Sequence, residues 1–80
     1  MNALHMRRID AGRNMKRFYK LDVQPDLFGG FTLISEWGRI GHAGQVRTRT
    51  FSTSGEAFSA QQRKWCEKAK RGYALLQFSV

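Results

Sequence analysis

The stretch FTLISEWGRIGHAGQVRTRTF, residues 31–51, decides the fold of this chain. Residues 31–39 and 45–51 each alternate in side-chain character, as extended strands do when every second side chain shares one face. The turn between them, residues 41–44, begins and ends with glycine, which permits the backbone conformations that tight turns need. The stretch therefore predicts two antiparallel strands joined by a tight turn.

The residues before this hairpin predict two further strands. Residues 15–23 alternate in the same way, and a Pro-Asp pair and a Gly-Gly pair mark a reversing loop at residues 25–30. Residues 4–9 also alternate, but the alternation breaks at Arg8, and residues 11–14 have the composition of a turn. We therefore expect the first strand to lie at the edge of the sheet.

The residues after the hairpin predict one helix and a last strand. Residues 53–56 match a capping box, in which the Thr53 hydroxyl accepts a hydrogen bond from the Glu56 amide and the Glu56 carboxylate reaches back to Thr53. Gly72 ends the helix after a run of cations, which suit the negative end of the helix dipole, and residues 73–80 alternate again. The spacing places Phe58, Gln62, Trp65, Cys66 and Ala69 on one arc of the helix, and the apolar stripe of Phe58, Trp65 and Ala69 is expected to pack on the sheet.

These elements predict an α+β fold. It consists of a small antiparallel β-sheet of about five strands, in the order four strands, one helix, one strand, with the α-helix packed on one face. The 80 residues are expected to form a single domain, residues 1–80, because a chain this short buries only about 60% of the surface its unfolded form exposes. The other face of the sheet is left to solvent or to a ligand.

The chain lacks the side-chain groupings that catalysis and metal binding require. Its six carboxylates are scattered over different elements, so no pair is predicted to act as acid and base. One cysteine and two histidines form no cluster with metal-ligand spacing, and the glycine loop at residues 38–44 lacks the Lys-Ser or Lys-Thr of a nucleotide site. Cys66, beside Trp65, is expected to be buried and inert. We predict no catalytic residue, no metal and no cofactor, and therefore no enzyme.

The composition also indicates where the protein resides. No window approaches the roughly 20 apolar residues of a membrane span, and residues 1–10 lack the apolar run of a signal peptide. A lone cysteine excludes an internal disulfide. The expected location is the cytoplasm, nucleoid association included, without membrane contact.

Positive charge dominates the chain and is clustered. Fourteen Lys and Arg stand against six Asp and Glu, a net charge of +8. Residues 5–20 hold six of the cations against one carboxylate, and residues 63–71 hold five against one. Such a field attracts polyanions, above all nucleic acid. The alternatives are a solubilising surface and a small subunit paired with an acidic partner.

Trp37 and Arg39 are placed on the same face of one strand by their spacing. An aromatic ring beside a guanidinium suits nucleic acid, because bases and sugars stack on rings while phosphates take the charge. A tryptophan here could equally be a core residue under the helix. Since a guanidinium is almost never fully buried without a partner, we expect this face to point outward.

Several blocks of the sequence occur together in one known family. They are Phe18-Tyr19-Lys20-Leu21, Trp37-Gly38-Arg39-Ile40-Gly41, Gly44-Gln45, Phe51, Glu56-Ala57, Phe58 and Lys70-Arg71-Gly72-Tyr73. In order and spacing these blocks closely resemble the WGR domain, from about residue 16 to residue 73. That family occurs in poly(ADP-ribose) polymerases and as short stand-alone bacterial proteins, which this chain looks like.

The resemblance implies DNA binding near strand breaks. In the polymerases the motif tryptophan stacks on the sugar or base of a terminal nucleotide, so Trp37 is expected to take that position. Arg39 is implied as a contact to DNA or to a neighbouring domain, and Lys70 as a contact to the DNA backbone. Where the polymerases have a polar asparagine, this chain has Lys16 followed by Arg17, and a cation there suits a phosphate. The ADP-ribosyl transferase domain is not among the matching blocks, and no such activity is expected.

We therefore expect a DNA-binding module that contacts mainly the phosphate backbone, prefers strand ends or nicks, and fits a DNA-repair context. The alternative is a protein-interaction module that anchors an acidic or ADP-ribosylating partner through the face of Trp37 and Arg39. DNA or RNA, and monomer or oligomer, are all compatible with the sequence. The expected nucleic-acid-binding residues are Trp37, Arg39, Lys70, Lys16, Arg17, Arg47, Arg49 and Arg71, and the glycines expected to shape the motif are Gly38, Gly41, Gly44 and Gly72.

Overall fold

The computed structural model describes the backbone of residues 2–79 and the side chains of residues 3–76. Every predicted helix and strand is present, with some ends shifted by one or two residues. Val80, the predicted end of the last strand, lies outside the described residues. The elements are β1 (Asn2–Asp10), a 3-10 turn (Ala11–Arg13), β2 (Met15–Pro25), β3 (Phe31–Arg39), β4 (Gln45–Phe51), α1 (Ser54–Lys70) and β5 (Ala74–Ser79).

The strands form one antiparallel sheet in the order β4-β3-β2-β1-β5, and one helix packs on it, which confirms the predicted α+β fold. β1 to β4 follow one another as a meander because their connections are short. The prediction that the first strand lies at the sheet edge is wrong, since β5 pairs with the far side of β1. Alternation along a strand shows which side chains share a face, but it does not show whether the strand has a partner on each edge. The second partner of β1 is β5, which follows the helix in the chain.

The hydrophobic core lies between α1 and one face of the sheet. From α1, Ala57 and Ala60 are buried, and their small side chains let the helix approach the strands closely. Gln61 is buried with them, and its Nε2 donates a hydrogen bond to the Leu21 carbonyl oxygen at 3.1 Å. This bond ties the helix to β2 inside an otherwise apolar layer. The sheet contributes Leu4, Met6, Tyr19, Leu21, Val23 and Leu33.

The predicted apolar stripe of the helix is only partly correct. Phe58 and Trp65 are half-buried against the core, but Gln62, Cys66 and Ala69 are exposed. The buried side is centred on the two alanines and the glutamine described above, because small side chains rather than large ones meet the sheet. Cys66, predicted to be buried and inert, faces solvent.

Both ends of α1 are capped as predicted. The Glu56 amide donates to the Thr53 hydroxyl at 3.2 Å, and that hydroxyl donates to the Glu56 carboxylate at 3.1 Å. At the other end Gly72 has a φ of 95°, in the left-handed region. Two hydrogen bonds of 3.1 Å, from the Gly72 amide to Ala69 and from the next amide to Lys68, complete a Schellman motif. The turn chemistry therefore fixes where the helix begins and ends.

α1 crosses the sheet obliquely and leaves one corner uncovered. The helix begins beside the edge strand β4 and leads into β5 at the opposite edge. Residues 45–50 of β4 are exposed, and only Phe51, next to the helix start, is half-buried. The beginning of β4 and the paired end of β3 around Trp37 are therefore open on the helix side.

Candidate nucleic-acid interface

A groove of about 910 Å³ opens at the uncovered corner, between α1 and strands β2 to β4. Among the described residues that line it are seven Lys and Arg side chains and one carboxylate, that of Glu67. Aromatic rings form its floor. The groove therefore combines an excess of positive charge with a flat apolar surface.

Trp37 and Tyr19 form the floor of the groove. They lie directly opposite each other on β3 and β2, and their rings stack with centroids 5.7 Å apart and planes 12° apart. Tyr73 meets Tyr19 edge-on at 6.1 Å. Tyr19 is buried and Trp37 is half-buried. Packing thus holds the Trp37 ring in place while part of it borders the open groove.

The prediction that Trp37 and Arg39 point away from the helix is wrong. Both lie on the same face of β3 as the buried Leu33, and this is the face that α1 covers further along the strand. One sheet face is both covered and open because the helix crosses it obliquely. The groove accordingly lies on the helix side, and not on the opposite face that was expected to be left for a ligand.

Three arginines occupy adjacent cross-strand positions, and two of them, Arg17 and Arg39, line the groove. In the strand register, Arg17 lies directly opposite Arg8 on one side and Arg39 on the other. Cations in such positions repel each other. The ion pairs of the described residues, one beside the 3-10 turn and one along α1, include none of the three. Arg39 Nη1 donates a long hydrogen bond, of 3.4 Å, to the Asn14 carbonyl oxygen. The row therefore holds positive charge that a bound anion would neutralise.

Further cations form the two walls of the groove. Arg47 and Arg49 are exposed on β4, and the Arg49 guanidinium lies 5.0 Å from the centroid of the Phe51 ring. From α1, Lys68 places its Nζ 4.7 Å from the centroid of the Tyr19 ring. The cationic walls can contact a polyanion along its length, and the aromatic floor can contact a flat group at one end of it.

Burial changes the proton affinity of two groove side chains. Desolvation raises the pKa of Tyr19 above its ordinary 10.0, and the charge of Glu67 adds to the rise. Desolvation likewise lowers the pKa of Lys68 from 10.5, and the charge of Arg71 lowers it further, while the charge of Glu67 opposes the shift. Tyr19 in the floor and Lys68 in one wall are therefore partly dehydrated. Attraction to an anion is screened less there than at an open surface.

The structure brings most of the predicted contact residues together. Lys16 lies on the face of β2 opposite to Tyr19, while Lys70 and Arg71 border a shallow depression on the outer side of α1. These three do not line the groove, and all eight roles stay predictions. The predicted residues that line it are Arg17, Trp37, Arg39, Arg47 and Arg49.

Three of the groove side chains, those of Tyr19, Lys68 and Tyr73, were not predicted to belong to the site. Alternation places Tyr19 on the face of Arg17, but only the register of β2 against β3 sets it opposite Trp37. Lys68 lines the groove because α1 is rotated about its axis so that this side chain faces the groove. The positions of the large apolar residues predict a different rotation. The signal available in the sequence was the length of the β2–β3 loop, since loop length fixes hairpin register.

Close packing explains two of the motif glycines. A Cβ atom on Gly44 would lie 2.5 Å from the Trp37 carbonyl oxygen and 2.8 Å from the Phe18 ring, and one on Gly38 would lie 2.9 Å from the Gly44 Cα. The turn itself needs Gly41, whose φ is 88°. The glycines thus let the turn fold tightly against the strand that positions Trp37.

The described residues offer neither a metal site nor a membrane-crossing helix. Between residues 2 and 79, no three His, Cys, Asp or Glu side chains lie close enough together to hold a metal ion. The same part of the chain has no helix whose length and apolarity would let it pass through a membrane.

Comparison with known proteins identifies the family. The family model described as the WGR domain matches residues 2–79, more of the chain than the blocks from 16 to 73. The uncharacterized protein y4dW of Sinorhizobium fredii (strain NBRC 101917 / NGR234) is 39% identical over 70 residues, which cover 88% of this chain and 34% of that protein. The chain thus spans about a third of the length of this relative. The WGR domain is a binding module of the nucleic-acid-binding type found in proteins like the poly(ADP-ribose) polymerases, and is not a catalytic domain. The match over nearly the whole chain means that this protein belongs to the WGR domain family.

Proposed function

We propose that the protein binds DNA in the groove, mainly through the phosphate backbone, and that a nucleotide at a strand end or nick stacks on Trp37. The row of Arg8, Arg17 and Arg39 beside the stacked Trp37 carries this proposal. It joins uncompensated positive charge to an aromatic surface, and these are the two features that a nucleotide chain requires of its binding site.

Phosphate binding is favoured by the repulsion within the arginine row. Folding places the three arginines in adjacent cross-strand positions, with no carboxylate in an ion pair with them among the described residues. A phosphate that enters the row replaces repulsion by attraction. Because phosphates are alike in every sequence, we expect little preference for base sequence.

A strand end or nick suits Trp37 better than an intact duplex. Inside a duplex, each base has neighbours on both faces, whereas the terminal base exposes one face. The Trp37 ring is half-buried and stacks on Tyr19, so it is better placed to cap a stack than to enter between base pairs. Base–aromatic stacking contributes roughly 1–3 kcal/mol per base.

A salt series with one arginine variant tests the electrostatic part of this proposal. With about four phosphate contacts, the logarithm of the binding constant should fall with the logarithm of salt concentration at a slope of about −3 to −4. Arg39→Ala should weaken binding and make that slope shallower by about 1. Fluorescence anisotropy with labelled nicked duplex DNA measures both quantities.

Arg7→Ala is the matched control for this experiment. Arg7 is an exposed arginine on β1 whose side chain lies on the sheet face opposite to the groove. The variant removes the same charge and should change affinity less than Arg39→Ala. Equal losses would mean that net charge rather than the groove attracts DNA. A flat salt response or no binding at low salt would contradict the proposal and favour an acidic protein as the ligand of the groove.

A further inference from the structure

The loop between β2 and β3 displays two large apolar side chains to solvent. Leu27 is 96% exposed and Phe28 is 94% exposed. The loop that carries them is tied at its base, where Asp26 Oδ1 accepts hydrogen bonds from the amides of Phe28 at 2.7 Å and Gly30 at 2.9 Å. The Asp26 amide also donates to the Gly30 carbonyl oxygen at 2.9 Å. We call residues 26–30 the finger, because hydrogen bonds fix the loop while its tip is exposed.

The end of the molecule that bears the finger differs in charge from the rest. Residues 21–34 and 48–58, which comprise the finger, the strand segments on either side of it, the facing part of β4 and the start of α1, contain three carboxylates, those of Asp22, Asp26 and Glu56, and a single cation. The remainder of the chain has the other thirteen Lys and Arg against three carboxylates. An apolar tip with acidic surroundings repels DNA and anionic lipid. The finger therefore fits a partner surface that is apolar at its centre and cationic around it.

The groove of a second copy of this chain has that chemistry. Its floor is formed by Trp37 and Tyr19, and its described lining includes seven cations and one carboxylate. The finger lies before the first residue of β3, and Trp37 lies near the end of that strand, about 20 Å away at the usual rise per residue. A finger so placed cannot reach the aromatic floor of its own groove, but it can reach that of a neighbour.

We propose that the finger of one copy docks in the groove of a second copy, head to tail, with Phe28 against the aromatic floor and the acidic surroundings of the finger against the cationic walls. Such a contact joins two different surfaces, so each added copy leaves a free finger and a free groove, and assembly continues into open chains. The proposal goes beyond DNA binding and does not depend on it. If DNA also occupies the groove, DNA and self-association compete.

Two pairs of substitutions, one for each surface, test this contact. Leu27→Ser/Phe28→Ser removes the apolar tip, and Arg39→Glu/Arg47→Glu reverses charge in the groove. All four side chains are exposed, so both variants should fold, which circular dichroism checks. Sedimentation velocity at low salt, from micromolar to millimolar protein, gives the mean mass of each protein alone and of an equimolar mixture of the two variants.

Head-to-tail docking predicts a distinct result for each sample. The mean mass of the wild-type protein should rise steadily with concentration, and each variant should associate at least about tenfold more weakly. The mixture should form a dimer and stop there, because only one intact finger and one intact groove remain. A wild-type protein that stays monomeric, a finger variant that still assembles, or a mixture that stays monomeric would each overturn the proposal. A loss of DNA affinity in the finger variant at monomeric concentrations would also overturn it and assign the finger to DNA instead.

Discussion

Trp37 combines two properties that a single residue seldom has. It packs on Tyr19 as a core residue does, and it also borders an open groove. The combination arises because the helix covers part of its sheet face and not the rest. A ring fixed in this way loses little conformational entropy when a base stacks on it, which favours binding.

Replacement of Trp37 should separate stacking from charge. We expect Trp37→Ala to weaken binding to nicked or blunt-ended DNA by about tenfold, which corresponds to about 1.4 kcal/mol and lies within the range for one base stacked on an aromatic ring. Affinity for closed circular DNA should change less, since its bases have no exposed terminal face. Competition binding across nicked, blunt-ended, closed and single-stranded DNA measures the difference.

Trp37→Phe controls for the packing role of the tryptophan. A phenylalanine retains an aromatic ring beside Tyr19 and part of the stacking surface, so the variant should bind with intermediate affinity. Equal loss on closed and broken DNA in the alanine variant would argue against recognition of ends. A normal affinity for all DNA forms in that variant would remove Trp37 from the interface.

At the scale of elements, the sheet holds the arginine row at a cost in stability. β1, β2 and β3 align Arg8, Arg17 and Arg39 in directly opposite positions. Like charges in such positions destabilise a sheet, in which a favourable cross-strand pair contributes roughly 0.2–1 kcal/mol. An arrangement that is unfavourable for folding and favourable for an anion is typical of a binding site.

Arg17→Thr should therefore raise stability while it lowers DNA affinity. Threonine suits a strand and removes the central charge of the row, so the free energy of unfolding should increase by about 0.5 kcal/mol at low salt. The salt slope for DNA should become shallower by about 1. Urea unfolding and a DNA titration on the same preparation measure the two effects.

Arg7→Thr is the control for that comparison, because it makes the same substitution at an exposed arginine of the neighbouring strand β1. Arg7 lies opposite Phe18 and Ala74 rather than another cation, so its replacement relieves no cross-strand repulsion. We expect its stability to change less than that of the Arg17 variant. A gain of the same size in both variants, or a gain that persists in high salt, would assign the effect to strand propensity instead of repulsion.

The sequence predicts the elements of this fold well because they depend on local chemistry. Alternation and turn residues locate β3 and β4 at their observed ends, and the capping box and Gly72 locate the limits of α1. The position of β1 inside the sheet could not be predicted, because it depends on the late return of β5. Local patterns thus define the elements but not the full strand order.

The groove depends on two non-local quantities that the sequence does not state. The first is the rotation of α1 about its axis. The large side chains of Phe58 and Trp65 predict this rotation incorrectly, because the residues that the helix buries against the sheet include the small Ala57 and Ala60. The second is the oblique path of α1 across the sheet. Arg17 and Trp37 could be selected from charge and motif, whereas Lys68 joins them only once rotation and path are known.

At the scale of the whole molecule, net charge opposes folding and favours binding. The chain has a net charge of +8, and the two ion pairs found among the described residues neutralise few of its cations. Salt screens interactions between exposed charges, with a screening length of about 10 Å at 0.1 M. The same screening should weaken the proposed attraction of the groove to phosphates.

Salt should therefore move stability and DNA affinity in opposite directions. Between low and moderate sodium chloride, we expect the free energy of unfolding to rise because repulsion among the cations is screened, while the DNA binding constant falls. Urea unfolding of dilute protein measures the first change, and the Leu27→Ser/Phe28→Ser variant keeps the protein monomeric if self-association interferes. Arg17→Thr should show a smaller rise, since part of the repulsion is already gone. A free energy of unfolding that falls with added salt would mean that attractive surface ion pairs outweigh the repulsion among the cations. The arginine row would then not be the source of repulsion on which the DNA proposal relies.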